Sequence, residues 1–182
     1  MNSNQLIIAV IEEIENQLNM VGVSDFEVSR NFQPTDQYSG ADVDSDIKTR
    51  IYLHSITNPV IGHSRKYNST NTKRADLQHL TKVYQVSVLH SFDYTDVDTM
   101  TPEDMGSLVR ALLDSPDAIK NLRANNVYLQ EVGDVRPIFF VNDKDQNESV
   151  PNFDLTVAYR SEIIKGSGYV DTAVADFHNE DG

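Results

Sequence analysis

The chain has 182 residues, 39% hydrophobic and 24% charged, with 28 acidic against 15 basic side chains and a net charge of −13. A chain of this length can bury about 70% of its unfolded surface in one core, so a single domain needs no disulfide or metal staple. Cysteine is absent, which excludes disulfides, thiolate catalysis, Cys-ligated zinc and iron–sulfur clusters, and the acidic balance disfavours tight nucleic-acid binding, which draws on cations that displace counterions from phosphates.

The opening stretch "MNSNQLIIAVIEEIENQL" lacks a basic n-region and a cleavage site, and its apolar run is interrupted by Glu12, Glu13 and Glu15. It reads as neither signal peptide nor membrane span, so the protein is expected to stay in the cytoplasm where it is made, with no membrane partner. From about Asn4 to Met20, Leu6, Ile7, Val10, Ile11, Ile14 and Leu18 fall at helical spacing, with Glu12, Glu13, Glu15 and Asn16 mostly opposite. This spacing predicts an amphipathic helix that Gly22 is placed to end. "DFEVSRNF" predicts a short strand, and "QPTDQYSGADVDSD", residues 33–46, has no periodicity and predicts a surface loop.

Residues Ile47 to Ile56 and Leu80 to Tyr94 are rich in β-branched and aromatic side chains with period-two alternation, and predict antiparallel neighbours. In the second run Tyr84, Val86, Val88, His90 and Phe92 share one side, with Gln85, Ser87 and Ser91 on the other. Between the two runs, residues 57–76 are polar and predict a long loop, whose Arg65, Lys66, Lys73 and Arg74 stand out in an acidic chain. A loop of that length in a compact domain is usually functional or ordered by a partner.

Thr101 is a fit N-cap, Pro102 suits the first helical position, and Glu103 and Asp104 complement the helix start. Met105, Leu108, Val109, Leu112 and Leu113 form the stripe to be buried, and Ser115 and Pro116 open a second, shorter helix that runs to about Ala124 before Asn125 and Asn126 break it. "VYLQEV" and "RPIFFV" are β again, and Pro137 confines its strand to an edge or bulge. After the polar turn "NDKDQNES", Pro151 to Ile163 alternate cleanly, with Phe153, Leu155, Val157 and Tyr159 opposite Asp154, Thr156, Ala158 and Arg160. The acidic, glycine-containing end, residues 165–182, predicts a flexible tail beyond a folded core of 1–164. The fold class expected is α+β: a mainly antiparallel sheet with an N-terminal helix and two central helices packed on it.

None of the five histidines forms H-E-x-x-H, and His54 and His90, both on predicted strands, read as ordinary strand histidines that could be neighbours. "DVDSD" from Asp42 resembles a calcium loop but has Ile47 where glycine is needed and Leu53 where glutamate is needed. No nucleophile elbow, Walker loop or dinucleotide fingerprint occurs. No catalytic residue, cofactor site or metal site is predicted, and the chain reads as a scaffold or binding protein rather than an enzyme.

The strand around Gln85, Val86 and Val88, the helix of Leu108, Leu112 and Leu113, the Arg136–Pro137 strand, the acid-rich turn, and the final strand of Phe153, Leu155, Val157, Tyr159 and Arg160 follow one another in an order that resembles the neck or tail terminator proteins of tailed bacteriophages. The resembling part runs from about Ile51 to Ile164. The resemblance implies an α/β subunit that forms a ring, usually a hexamer, on the last ring of the tail tube. Such a ring stops tube polymerisation and presents a surface to the head-tail connector or head-closure protein, with the sheath protein as a further neighbour and DNA passing through the lumen without specific binding. It also implies a virion protein of the tail or neck, made in the bacterial host cytoplasm, whose negative charge would repel DNA in the lumen. On this reading Arg65, Lys66, Lys73, Arg74, Arg136, Arg160 and Glu162 are the candidate ring or docking residues. Another head-tail joining or tail tube component, or a small monomeric binding module or hydrolase, are the alternatives.

Overall fold

A computed structural model describes residues 1–30, 48–57, 65–70, 73–91, 95, 97–141 and 147–166. The expected loop at 33–46, the expected tail beyond Gly166, Phe92 and most of the expected turn before β7 lie outside these residues. Three helices, α1 (Ser3–Met20), α2 (Pro102–Leu113) and α3 (Pro116–Ala124), accompany seven strands: β1 (Phe26–Arg30), β2 (Thr49–Thr57), β3 (Arg65–Thr70), β4 (Lys73–His90), β5 (Val127–Val132), β6 (Arg136–Val141) and β7 (Asn147–Gly166). The strands form one sheet of order β1-β2-β4-β7-β5, with β3 also on β4 and β6 also on β7. Every pairing is antiparallel except β1 with β2. The α+β class expected from sequence is the class observed.

The helices begin where their caps direct. In α2 the Thr101 hydroxyl accepts from the Asp104 amide at 3.2 Å while the Asp104 carboxylate accepts from the Thr101 hydroxyl at 2.7 Å, a reciprocal cap that holds the Asp104 carboxyl below its usual range. Asn2 and Gln5 cap α1 in the same reciprocal manner, a signal that the apolar spacing alone does not carry. The Gly22 amide donates to the Asn19 carbonyl at a φ of +77°, ending α1 where expected. Asn126, at a φ of +59°, turns the chain out of α3, in the left-handed region that asparagine tolerates best after glycine.

All three helices cover one face of the sheet. That face carries Ile51 and Leu53 of β2, Tyr84, Val86 and Val88 of β4, and Phe153, Leu155, Val157 and Tyr159 of β7, buried against Leu6, Val10, Ile14, Leu18, Met105, Val109, Leu113 and Leu122. Leu108 and Leu112, expected in the buried stripe of α2, pack at its half-buried margin. Gly106 explains how closely α2 lies on β7: a Cβ there would sit 3.1 Å from the Pro151 Cβ. The opposite face presents Arg50, Tyr52, Gln85, Ser87, Asp154, Thr156 and Arg160, and no element among the described residues covers it.

Three expectations need correction. The stretch 57–76 is not a loop throughout: Arg65–Thr70 and the first residues of β4 form a hairpin, with Thr70 opposite Lys73. Polar residues on both faces give no period-two signal, and the strand is held by main-chain hydrogen bonds to its neighbours rather than by an apolar face. Glu13, assigned to the solvent side of α1, is only 3% exposed. Its carboxylate accepts from the Gln17 amide at 2.7 Å and from the Asn121 amide of α3 at 3.1 Å, so it ties two helices together. His54 and His90 are not neighbours; His54 lies opposite Gln85, and His90 lies opposite Thr49 on the other face.

Two outcomes follow from these placements. Glu13→Ala leaves the buried Gln17 amide and the exposed Asn121 amide without this acceptor and is expected to lower the unfolding free energy by about 1–3 kcal/mol, measured by urea denaturation. The His90 ring, 2.9 Å from the Thr49 hydroxyl, is pushed below its ordinary pKa of 6.5 by burial and then by the Lys48 charge. Because the unfolded chain binds this proton more readily, the contribution of His90 is complete above about pH 6.5 and is lost as pH falls through the lower folded value. Melting temperature measured from pH 8 to 5 should therefore drop on the acidic side, and His90→Gln should flatten that part of the drop.

Candidate assembly interface

β4 and β7, of 18 and 20 residues, run far past the helices. They pair continuously from Lys73 opposite Gly166 to Ser87 opposite Asn152, fifteen positions in register, or about 50 Å at strand rise. With β3 alongside, one end of this pair becomes a three-stranded ribbon. Four of the expected docking residues meet there: Arg65 opposite Leu77, Lys66 opposite Asp76, Arg74 opposite Ser69 and Lys73 opposite Thr70. The hairpin thus brings together two basic dipeptides eight positions apart in the chain. On the other side of β4, Lys165 stands opposite Arg74 and Glu162 opposite Leu77, so the ribbon end collects five cations and two acidic residues, Asp76 and Glu162. Arg160, exposed and opposite His79, sits at the base of the ribbon.

The remaining candidate, Arg136, lies elsewhere. It opens β6 beside the middle of β7 and pairs with Asp154 at 2.7 Å, across the diagonal of two strands. Near it, the Gly133 amide donates to the Asp154 carbonyl at 2.8 Å, the step by which the chain passes from β5 to β6 along one strand. Arg110 of α2 holds that step from the other side: its Nε donates to the Gly133 carbonyl at 3.2 Å and its Nη2 to the Val132 carbonyl at 3.4 Å, with Asp114 and Asp134 at 3.9 and 4.0 Å. The recess formed here, near 340 Å³, is lined by Val83, Glu131, Asp134, Arg136, Asp154 and Thr156. Within this lining Arg136 pairs with Asp154. Among the described residues no group of three His, Asp or Glu side chains is arranged to hold a metal ion, and no helix is long and apolar enough to cross a membrane.

Two residues of weight here were not singled out from the sequence. Arg110 follows Val109 inside the helix stripe, and nothing local marks it as the clamp on a turn 22 residues away. Lys82 was legible in principle, because it stands in phase with Tyr84, Val86 and Val88; it is 6% exposed.

Residues 5–169 match the family of the E217 gateway protein gp29. The chain belongs to this phage gateway protein family. The match takes in every strand, α2, α3 and all of α1 except its first two residues. Among solved structures the chain is similar to the sheath/tube terminator of PVC, an extracellular contractile injection system, in its extended state, at 14% identity and a TM-score of 0.45. That similarity covers 97% of this chain and 64% of the other, so the chain spans less than two thirds of the terminator's length. No curated protein matches it. The family is a phage one of the portal and tail-completion kind, so this gateway-family protein has a structural role in tail completion.

For the gateway-family protein, replacing Arg110 by Met removes two hydrogen bonds to the β5–β6 step while keeping the apolar stem. Unfolding free energy should fall by about 1–2 kcal/mol, and hydrogen exchange should speed up at Gly133 and its neighbours while α1 stays protected.

Proposed function

We propose that this protein is a ring-forming terminator, six copies capping the last ring of the tail tube, stopping its polymerisation and presenting the surface on which the head-tail connector or head-closure protein docks. The reading rests on the family match over residues 5–169. The geometry supports it in three ways. A sheet whose edge strands, β1 and β5, have no further strand beside them among the described residues suits head-to-tail contacts, which close into a ring when the rotation allows. The uncovered sheet face offers a second surface for a neighbour, with Arg160 on it, Glu162 farther along the same strand and Arg136 at its margin. The ribbon carrying Arg65, Lys66, Lys73 and Arg74 extends beyond the core as an arm toward the tube, the sheath or the connector.

Charge supports the same assembly. With a net charge of −13, a ring of such subunits surrounds its lumen with negative potential, which lets DNA pass without sticking. The basic arm stands apart from that balance, as a contact for acidic surfaces should. The protein is made in the bacterial host cytoplasm and acts in the tail or neck of the virion.

The test is negative-stain imaging of purified protein mixed with tail tubes from a terminator-deficient lysate. Rings on tubes of uniform length are the expected result; tubes that keep growing uncapped would refute the reading. Changing Arg65, Lys66, Lys73 and Arg74 together to Glu should cut head-to-tail joining roughly tenfold or more, since reversing contact charges removes both steering and pairing, while the isolated protein stays folded. Joining at the normal efficiency would remove the arm from the docking contact.

A further inference from the structure

The register of the ribbon sorts its charges by face. Successive positions of a strand lie on opposite faces and directly paired positions on the same one. Lys66, Asp76 and Ile163 therefore form one row, and Ser69, Arg74 and Lys165 the next row on the same face, which farther along β4 carries Tyr84 and Val86. The other face holds the rows Arg65–Leu77–Glu162, Tyr67–Ala75–Ile164 and Thr70–Lys73–Gly166. Each basic dipeptide is thus divided between the faces, and the four cations expected to act together do not make one surface. One face brings Lys66 and Arg74 together with Lys165, which local sequence does not mark, against the single carboxylate of Asp76. The other has Tyr67, Ala75, Leu77 and Ile164 at its centre, with Arg65 in a row with Glu162. On the basic face Arg74 and Lys165 are directly opposed; like charges so placed destabilise a strand pair, and a carboxylate can accept from both.

The complementary surface is the recess near 340 Å³ at the β5–β6 step. It opens on the sheet face that no element among the described residues covers, the face of Asp154 and Thr156. Its lining sets three carboxylates, Glu131, Asp134 and Asp154, against one guanidinium, Arg136, which lies 2.7 Å from Asp154. Glu131 and Asp134 are exposed, the Asp134 side chain to 98%. The concavity has room for the end of a lysine or arginine side chain, with Val83 and Thr156 to meet its methylenes. The ribbon of the same subunit cannot supply that side chain. Arg74 stands nine ladder positions from Val83, about 30 Å at strand rise, on the opposite face of the sheet, and the ladder between them is unbroken.

We propose that the basic face of the ribbon, Lys66, Arg74 and Lys165, docks on the Glu131–Asp134 recess of a second copy of this chain. The two surfaces are different patches of one subunit, so the contact is head-to-tail, the kind that closes into rings. This rests on the ring reading above and gives one face of the arm its partner, the next subunit, while Arg65 and Lys73 lie on the face turned away from that contact. Within a chain of net charge −13, a basic arm reaching into a neighbour's carboxylate-lined recess also offsets the repulsion that subunits of like charge meet on assembling.

The experiment uses the full chain on terminator-deficient tail tubes. Lys66→Glu with Arg74→Glu, and separately Glu131→Lys with Asp134→Lys, should each weaken capping about tenfold, and all four changes in one chain should restore it to within about threefold. Arg65→Glu with Lys73→Glu, equal in charge change but on the other face, should leave capping within about twofold of the unmodified protein. Unchanged melting temperatures confirm that the variants fold. In capped assemblies of the unmodified protein, zero-length carbodiimide coupling should join Lys66 or Lys165 to Glu131 or Asp134, a link that one subunit cannot make with itself. If the unmodified protein caps tubes but the fourfold variant is not rescued, if the Arg65 and Lys73 pair weakens capping as much as the Lys66 and Arg74 pair, or if the two lysines couple only to other carboxylates, the docking is wrong and the ring reading survives. If the unmodified protein forms no rings on tubes, the ring reading falls and takes the docking with it.

Discussion

Everything in this subunit hangs on the pairing of β4 with β7. Strands in globular proteins usually run 3–10 residues, and these run 18 and 20 with fifteen positions in continuous register. In the middle of that register, Tyr84 faces Leu155 and Val86 faces Phe153, so the longest main-chain ladder and the centre of the core are the same place. Period-two alternation makes a one-residue slip impossible there, since it would turn Phe153, Leu155 and Val157 out to solvent. With register pinned at the centre, both ends follow: β2 and β3 add along β4, and β5 and β6 add along β7. The basic ribbon end is a consequence, because the ladder continues after the apolar pattern has stopped.

The two faces of the sheet then divide the labour. One face is sealed by helices whose buried residues meet the strands at native closeness, down to the glycine that lets α2 approach Pro151. The sealed side is not wholly apolar, and its polar members differ in kind. Glu13 is buried but satisfied by two amides, so it fixes how α1 and α3 sit together. Lys82 and Tyr84 are also buried, with the Lys82 ammonium 5.3 Å from the Tyr84 ring centroid and the Tyr84 hydroxyl without a hydrogen-bond partner among the described residues.

The charge distribution carries the same logic at larger scale. In the ring we propose, an excess of acidic residues keeps DNA from adhering to the lumen by repulsion. The cations are not scattered evenly through that excess. Five of them, Arg65, Lys66, Lys73, Arg74 and Lys165, lie on the strands of the ribbon.

Local signals determined the elements that close on themselves. Thr101 with Pro102 and Ser115 with Pro116 mark helix starts because capping is a matter of four consecutive residues, and Phe153 to Tyr159 mark a strand because alternation needs only its own neighbours. The family resemblance was legible for the same reason, being an order of such elements. Only the tertiary structure decided that 65–70 is a strand, that Glu13 is inside, that Arg110 clamps the Gly133 turn and that Lys82 lies beside the Tyr84 ring. Each of these depends on groups far apart in the chain meeting across a strand or a helix interface, and hydrogen bonds and charge pairs of that reach leave no periodic trace in the sequence that makes them.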